Sequence, residues 1–166
     1  MKSSFTPEYA VVPKGLHTDK YNIRMLTIND LIKDYEAVMS SVAHLKGVFG
    51  LDDPWPQNLT LEENLIDLGW HQKEFEIRSS FTFTVMSKDE QKCLGCVYIN
   101  PSSKSSFDAE IILWVRESEA NTGLDAHLFS AIKEWVAKDW WFKSVAYPGR
   151  EIAWKDWQDL PVKQYG

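Results

Sequence analysis

One stretch constrains this chain more than any other. Residues 109–115, Ala-Glu-Ile-Ile-Leu-Trp-Val, are apolar on both alternating faces except at Glu110, the pattern of an interior strand covered by helices. A short connector follows. Gly123 then opens a run in which Leu124, Leu128, Ile132, Trp135 and Val136 recur at helical spacing. A buried strand feeding a helix implies an α/β architecture. The backbone amides at such a helix start can hold a phosphate-bearing ligand. Asp125, inside the first turn, places a negative charge where an anion would bind.

The remaining elements build around that junction. Residues 1–20 show no sustained period and read as a loosely packed leader to one domain over residues 21–166. Tyr21 to Leu26 alternates as a first strand. Thr27 can cap the next helix, with Asp30 as its acidic partner, and Leu31, Tyr35, Val38, Met39 and Val42 form its apolar stripe. Gly47 and Gly50 end it, and a loop with Trp55 between two prolines follows. Thr60 and Glu63 make a capping box for a second helix carrying Leu61, Leu65, Leu68 and Phe75. Phe81, Phe83 and Val85 alternate with Thr82, Thr84 and Met86. With the strand from Cys93 to Ile99 they make an antiparallel hairpin about a polar turn. A short strand, Phe142 to Tyr147, closes the sheet, and Trp154, Trp157 and Leu160 mark a last short helix.

Composition removes several functional classes. The 166 residues carry a net charge of −6 with no basic run, which argues against general nucleic-acid binding. Eighteen consecutive apolar residues occur nowhere, and the first ten lack a signal-peptide core, so no membrane span and a soluble, cytoplasmic protein are expected. Cys93 and Cys96, three apart, fall on opposite faces of a regular strand and read as structural. His17, His44, His71 and His127 show no close ligand spacing, and no metal is expected. Trp55 and Trp70, near the first helices, could line an acceptor groove.

The element order over residues 21–148 resembles the GCN5-related N-acetyltransferase family, whose fold is a mixed, mainly antiparallel twisted sheet flanked by helices. Ile23-Arg24, Leu94-Gly95-Cys96-Val97-Tyr98 and Trp114-Val115-Arg116 carry the resemblance. It implies transfer of an acetyl group from acetyl-CoA to an amine on a small molecule or an exposed chain. It also implies that the cofactor pyrophosphate lies at the start of the helix opening at Gly123. The family's turn reads Gln or Arg, two residues, Gly, one residue, then Gly or Ala. Here Ala120 and Asp125 depart from it and Gly123 keeps it. The resemblance places the cofactor on Trp114, Val115, Arg116, Asn121, Thr122, Gly123 and Leu124. A carboxylate about 6 Å from a phosphate costs on the order of 2–3 kcal/mol at an effective dielectric of 20. One charged backbone hydrogen bond returns roughly as much. Binding therefore needs Asp125 turned away or met by a cation such as Arg116 or Lys143; otherwise Asp125 simply stabilises its own helix start.

Glu110 resembles the strand-borne general base of the histone-acetylating branch, and isolation among apolar neighbours would make it a better proton acceptor. Its plainer role is structural. Tyr147, with Tyr98 as a second candidate, stands where a proton donor to the departing thiolate would be needed; both are equally suited to aromatic packing. Two further readings stay open: a catalytically inactive protein that kept the fold to bind a small ligand or a protein, and an unrelated α/β interaction domain. The short C-terminus leaves a sheet edge for the C-terminal segment, or a second copy in a homodimer, to cover.

Overall fold

The computed structural model describes residues 4–164 and contains one six-stranded sheet in the order β1-β2-β3-β4-β5-β6. The strands are β1 Gly15–His17, β2 Asn22–Met25, β3 Phe81–Met86, β4 Cys93–Pro101, β5 Ala109–Val115 and β6 Val145–Ala146. All neighbours are antiparallel except β5 and β6, whose parallel pairing makes the sheet mixed. The helices are α1 Leu31–Met39, α2 Val42–Leu45, α3 Leu61–Glu76, α4 Leu124–Asp139 and α5 Trp154–Asp159. Helix α4 covers one face through Leu128, Ile132, Trp135 and Val136 against Phe83, Ile111 and Leu113. Helices α1, α2 and α3 cover the other, where Val38, Leu45 and Leu68 meet Cys96, Tyr98 and Trp114. Because both faces are covered, every residue of β3 is buried, the threonines included. Among the described residues no helix is long and apolar enough to cross a membrane.

Both capping boxes form. The Thr60 hydroxyl accepts from the Glu63 amide while Glu63 accepts from the Thr60 amide. The Thr27–Asp30 pair caps a single 3-10 turn, Ile28–Asp30, that leads into α1. The first helix is shorter than its apolar period implies. It breaks at Ser40 and Ser41, whose hydroxyls both donate to the Ala37 carbonyl and so compete with the helical ladder.

Three details differ from the sequence reading. The leader is packed: β1 lies within it, Phe5 stacks on Phe142 at 5.2 Å, and Arg78 donates to the carbonyls of Pro7 and Ala10. Cys93 and Cys96 lie on the same face, because the register shifts between Val85 and Met86 and a bulge absorbs the odd residue. Burial pushes both thiols up, Cys93 to about 12, so neither is a thiolate at neutral pH. On α3 the inward stripe is Asn64 and Leu68, both buried, with His71 and Phe75 half-buried, while Leu61 and Leu65 are exposed. Two polar residues thus stand where apolar ones would complete the core.

The C-terminal segment packs on the turn between β4 and β5. Val162 bridges to Lys104, and the Lys104 ammonium donates to the carbonyls of Gln158 and Leu160 while lying 5.7 Å over the Trp157 ring. On the opposite side, Arg116 is 4% exposed and forks onto Glu36 of α1 with two contacts of 2.7 Å. It also donates to the Cys93 carbonyl and to Ser40. Glu36→Ala leaves that guanidinium buried without its carboxylate and is expected to lower stability by about 2–3 kcal/mol. A urea midpoint equal to that of the wild type would contradict the tether.

Candidate active site

Beyond Glu110 opposite Ala146, β5 has no strand on its outer side among the described residues, because β6 ends there and the chain turns away. The gap holds a cavity of about 420 Å³. Its walls are Ile112 to Val115 on one side, residues 44–48 on another, and Pro148, Gly149, Arg150 and Trp154 on the third, with Ala120 and Asp125 around the start of α4. The β5 carbonyls that a neighbouring strand would have met are met by side chains. Arg150 donates to Leu113 at 3.0 Å, and the His44 ring nitrogen lies 3.1 Å from the Val115 carbonyl.

The turn carrying Arg150 is tight. Gly149 has φ +79°, and a Cβ there would meet the Trp154 ring at 2.5 Å, so no side chain fits. From that turn Arg150 forks onto both carboxylate oxygens of Asp125 at 2.8 Å each. The guanidinium holds the Asp125 carboxyl below its ordinary range. The cation that answers Asp125 is therefore Arg150. Arg116 is spent on Glu36, and Lys143 lies beside Asp108 ahead of β5, at the end of the strand away from the cavity.

At the start of α4, Gly123 takes φ +83° and a Cβ there would meet nothing, so the turn is open to solvent. The Leu124 amide is capped by the Thr122 hydroxyl, while Asp125 and Ala126 amides have no acceptor among the described residues. Asn121, Thr122 and Gly123 are exposed beside them. Of the residues expected to hold a cofactor, Trp114 and Val115 line the cavity and the 121–124 turn stands at its rim. The Arg116 side chain points to the opposite core.

Glu110 is not isolated among apolar groups. It sits at the open start of β5, where the 102–108 turn folds over it, and one oxygen accepts from the amide and hydroxyl of Ser103. It lines neither cavity directly; Ile112, next on its face, lines the first, and its cross-strand partner Asn100 lines the second. Tyr147 faces α4, packed edge-on against Phe129 at 5.3 Å, and burial pushes its phenol up to about 12. The structure does not bring it to either cavity.

A second cavity, about 300 Å³, lies on the α1–α3 side of the same sheet. Asp34, Asn64, Asp67 and His71 come from the helices, Phe49, Asp53 and Trp55 from the loop between them, and Tyr98 and Asn100 from β4. The sequence reading singled out Trp55 and Tyr98 here; the polar interruptions at positions 64 and 71 of an inward helix face were the signal for the rest. Trp114 joins the two cavities, lining the first, donating to the Tyr98 hydroxyl at 3.1 Å and lying 6.1 Å from Trp55.

Asp34 is 4% exposed, accepts from Asn64 at 2.9 Å, and has no ion-pair partner among the described residues. Burial, with Asp30 and Asp67 nearby, raises its carboxyl to about 6 from 3.8. A carboxyl with a raised folded-state pKa binds more protons folded than unfolded between those values, so stability falls as pH rises through that window. The penalty is absent below about pH 4 and full above about pH 6, on the order of 3 kcal/mol. Asp34→Asn should therefore raise the melting temperature by about 5 °C or more at pH 8 and by little at pH 4. Equal effects at both pH values would contradict an ionised, uncompensated Asp34.

No family model and no curated protein matches the sequence. Solved structures do match in shape. Ribosomal-protein-S5-alanine acetyltransferase from Vibrio fischeri is 17% identical, with a TM-score of 0.60 over 75% of this chain and 67% of that one. RimL, a ribosomal L7/L12 alpha-N-protein acetyltransferase solved in complex with coenzyme A, is 19% identical, with a TM-score of 0.56 over 77% and 69%. The microcin C7 self-immunity acetyltransferase MccE, in complex with acetyl-CoA and AMP, is 13% identical, with a TM-score of 0.55 over 77% and 69%. At these identities the likeness establishes architecture: the chain has the fold of the GCN5-related N-acetyltransferases.

Proposed function

We propose that this protein is an N-acetyltransferase that takes acetyl-CoA in the cavity between β5 and β6 and transfers its acetyl group to an amine. The observation that carries the reading is the coincidence of three features at one place: a β5 edge without a strand neighbour, amides of α4 without acceptors, and a guanidinium between them. The residues fit the ligand. Asp125 and Ala126 amides offer hydrogen bonds to a diphosphate, Arg150 offers a planar fork, and the Trp114–Val115 edge offers an apolar bed with backbone polarity. RimL and MccE, which share the fold, were solved with coenzyme A and with acetyl-CoA.

Bound acetyl-CoA supplies an activated thioester. The amine nitrogen bonds to the acetyl carbon as the carbon–sulfur bond breaks, the sulfur leaves as thiolate, and the nitrogen's proton passes to a Glu110 oxygen, directly or through water. Glu110 suits that role by position: it lies on the strand face of Ile112 from the first cavity and opposite Asn100 of the second, and its second oxygen has no partner among the described residues. Ser103 fixes the carboxylate's orientation. The thiolate takes its proton from solvent at the open cavity mouth. Buried Cys93 and Cys96 leave no thiol to carry the acetyl group, so attack is direct.

The Arg150–Asp125 fork is the one feature favouring a non-catalytic ligand-binding protein, since it spans the cavity entrance. Its side chains are partly exposed, so it is cheap to open. Calorimetric titration with acetyl-CoA tests the site. Asp125→Asn removes a like charge and frees Arg150, and should tighten binding about tenfold, whereas Arg150→Gln should weaken it about tenfold. Equal affinity in both variants, or no heat at millimolar acetyl-CoA, would remove the assignment. Glu110→Gln should lower turnover by about 10²–10⁴-fold with acetyl-CoA affinity unchanged. Full turnover in that variant would exclude Glu110 as the base.

A further inference from the structure

The second cavity has a charge and shape of its own. Its aromatic side is built from Phe49 against Trp55 at 4.9 Å, Phe49 against Tyr98 at 5.0 Å and His71 against Tyr98 at 5.5 Å. Its polar side carries Asp34 at depth, with Asp53 and Asp67 nearer the mouth, and no lysine or arginine lines it among the described residues. His71 does not offset the carboxylates, because burial lowers its pKa and keeps the ring neutral near pH 7. Asp34 is the decisive group. It is more than nine-tenths buried, one oxygen is held by Asn64, and the other has no partner among the described residues. A buried carboxylate left without a counter-ion costs several kcal/mol unless a cation meets it. The contrast with Arg116, equally buried but matched to Glu36 on the same helix as Asp34, shows that this fold can pair a buried charge where it needs to.

We infer that this cavity is an anchor site for an organic ammonium group, held by Asp34 and Asp67 and walled by Trp55, Phe49 and Tyr98. Aromatic faces and carboxylates both attract such a cation, and the carboxylates repel an anion. The site is not where the reacting nitrogen sits. Attack on a thioester requires a free lone pair, whereas neighbouring carboxylates hold an amine in its protonated form. The acceptor therefore carries two basic nitrogens: one stays charged in the anchor site, and the other reaches past the Trp114–Tyr98 wall toward Glu110. Asn100 of the anchor site is the cross-strand partner of Glu110, and neighbouring strands lie about 4.8 Å apart. The two sites are thus at least one strand spacing apart, and a short aliphatic chain between the nitrogens is the simplest link. The acceptor class is an aliphatic diamine or longer polyamine. This rests on the acetyltransfer reading for the reaction but not for the cation binding.

The test uses 1,4-diaminobutane, n-butylamine and tetramethylammonium on the whole chain. Calorimetry without cofactor should show 1,4-diaminobutane binding, weakened at least tenfold in Asp34→Asn and several-fold in Asp67→Asn, with acetyl-CoA affinity unaltered in both. Tetramethylammonium should compete with the diamine and not with acetyl-CoA. The diamine should be acetylated with a kcat/KM at least 100-fold above that of n-butylamine, which can fill the anchor or react but not both. If the diamine binds Asp34→Asn as well as wild type, or n-butylamine is acetylated equally well, the inference is overturned while acetyl transfer stands. Diamine binding that depends on Asp34, with no acetyl-CoA binding, upholds the cation site and removes the reaction.

Discussion

Strand β5 runs out of a neighbour after two residue pairs, and a peptide edge cannot be left unsatisfied inside a protein. The rest of the site depends on how that edge is met. A longer β6 would have closed it and left no cavity. Instead two side chains reach it from opposite directions, His44 from α2 to the Val115 carbonyl and Arg150 from the turn after β6 to the Leu113 carbonyl. Both are side chains that can yield to a ligand, whereas a strand cannot. The Gly149 turn sets the position of Arg150, and Asp125 holds its other edge, so the same guanidinium satisfies the sheet and neutralises the start of α4.

Charge is arranged differently on the two sides of α1. Glu36 meets a buried arginine and ties the helix to the end of β5, a purely structural arrangement that uses up Arg116. Asp34, two residues earlier, faces the interior with only an asparagine amide for company. The low dielectric that makes an unpaired carboxylate costly also makes it a strong receiver for a cation. Trp114 lies between this group and the cavity beside β5, in contact with the walls of both. The two cavities therefore adjoin through Trp114, and Asn100 of the second pairs across the strands with Glu110.

Much of this was legible in the residues. The apolar run with one glutamate reads as an interior strand, Gly123 as the helix opening, and the two threonine boxes as helix starts, because each rests on local backbone chemistry. What was not legible depended on distant partners. Arg150 looks like any surface arginine until the 147–152 turn brings it to Asp125. The apolar period of α3 pointed to Leu61 and Leu65, while the inward face carries Asn64 and His71, since a cavity rather than a core lies beneath them. The expected apolar isolation of Glu110 failed because the 102–108 turn, which has no signature of its own, folds Ser103 onto it. The bulge that turns both cysteines to one face is likewise a property of strand pairing and not of the strand alone.

The account turns on whether the open end of β5 and the start of α4 together receive a diphosphate-bearing thioester. The most direct measurement is the amide spectrum of the labelled protein during titration with acetyl-CoA. Saturable shifts should concentrate at Gly123, Asp125 and Ala126 and along Leu113 to Val115, with the Arg150 side-chain signal moving at the same ligand concentration. If those signals stay fixed at millimolar acetyl-CoA, or shifts appear only elsewhere on the surface, the cavity between β5 and β6 is not a cofactor site.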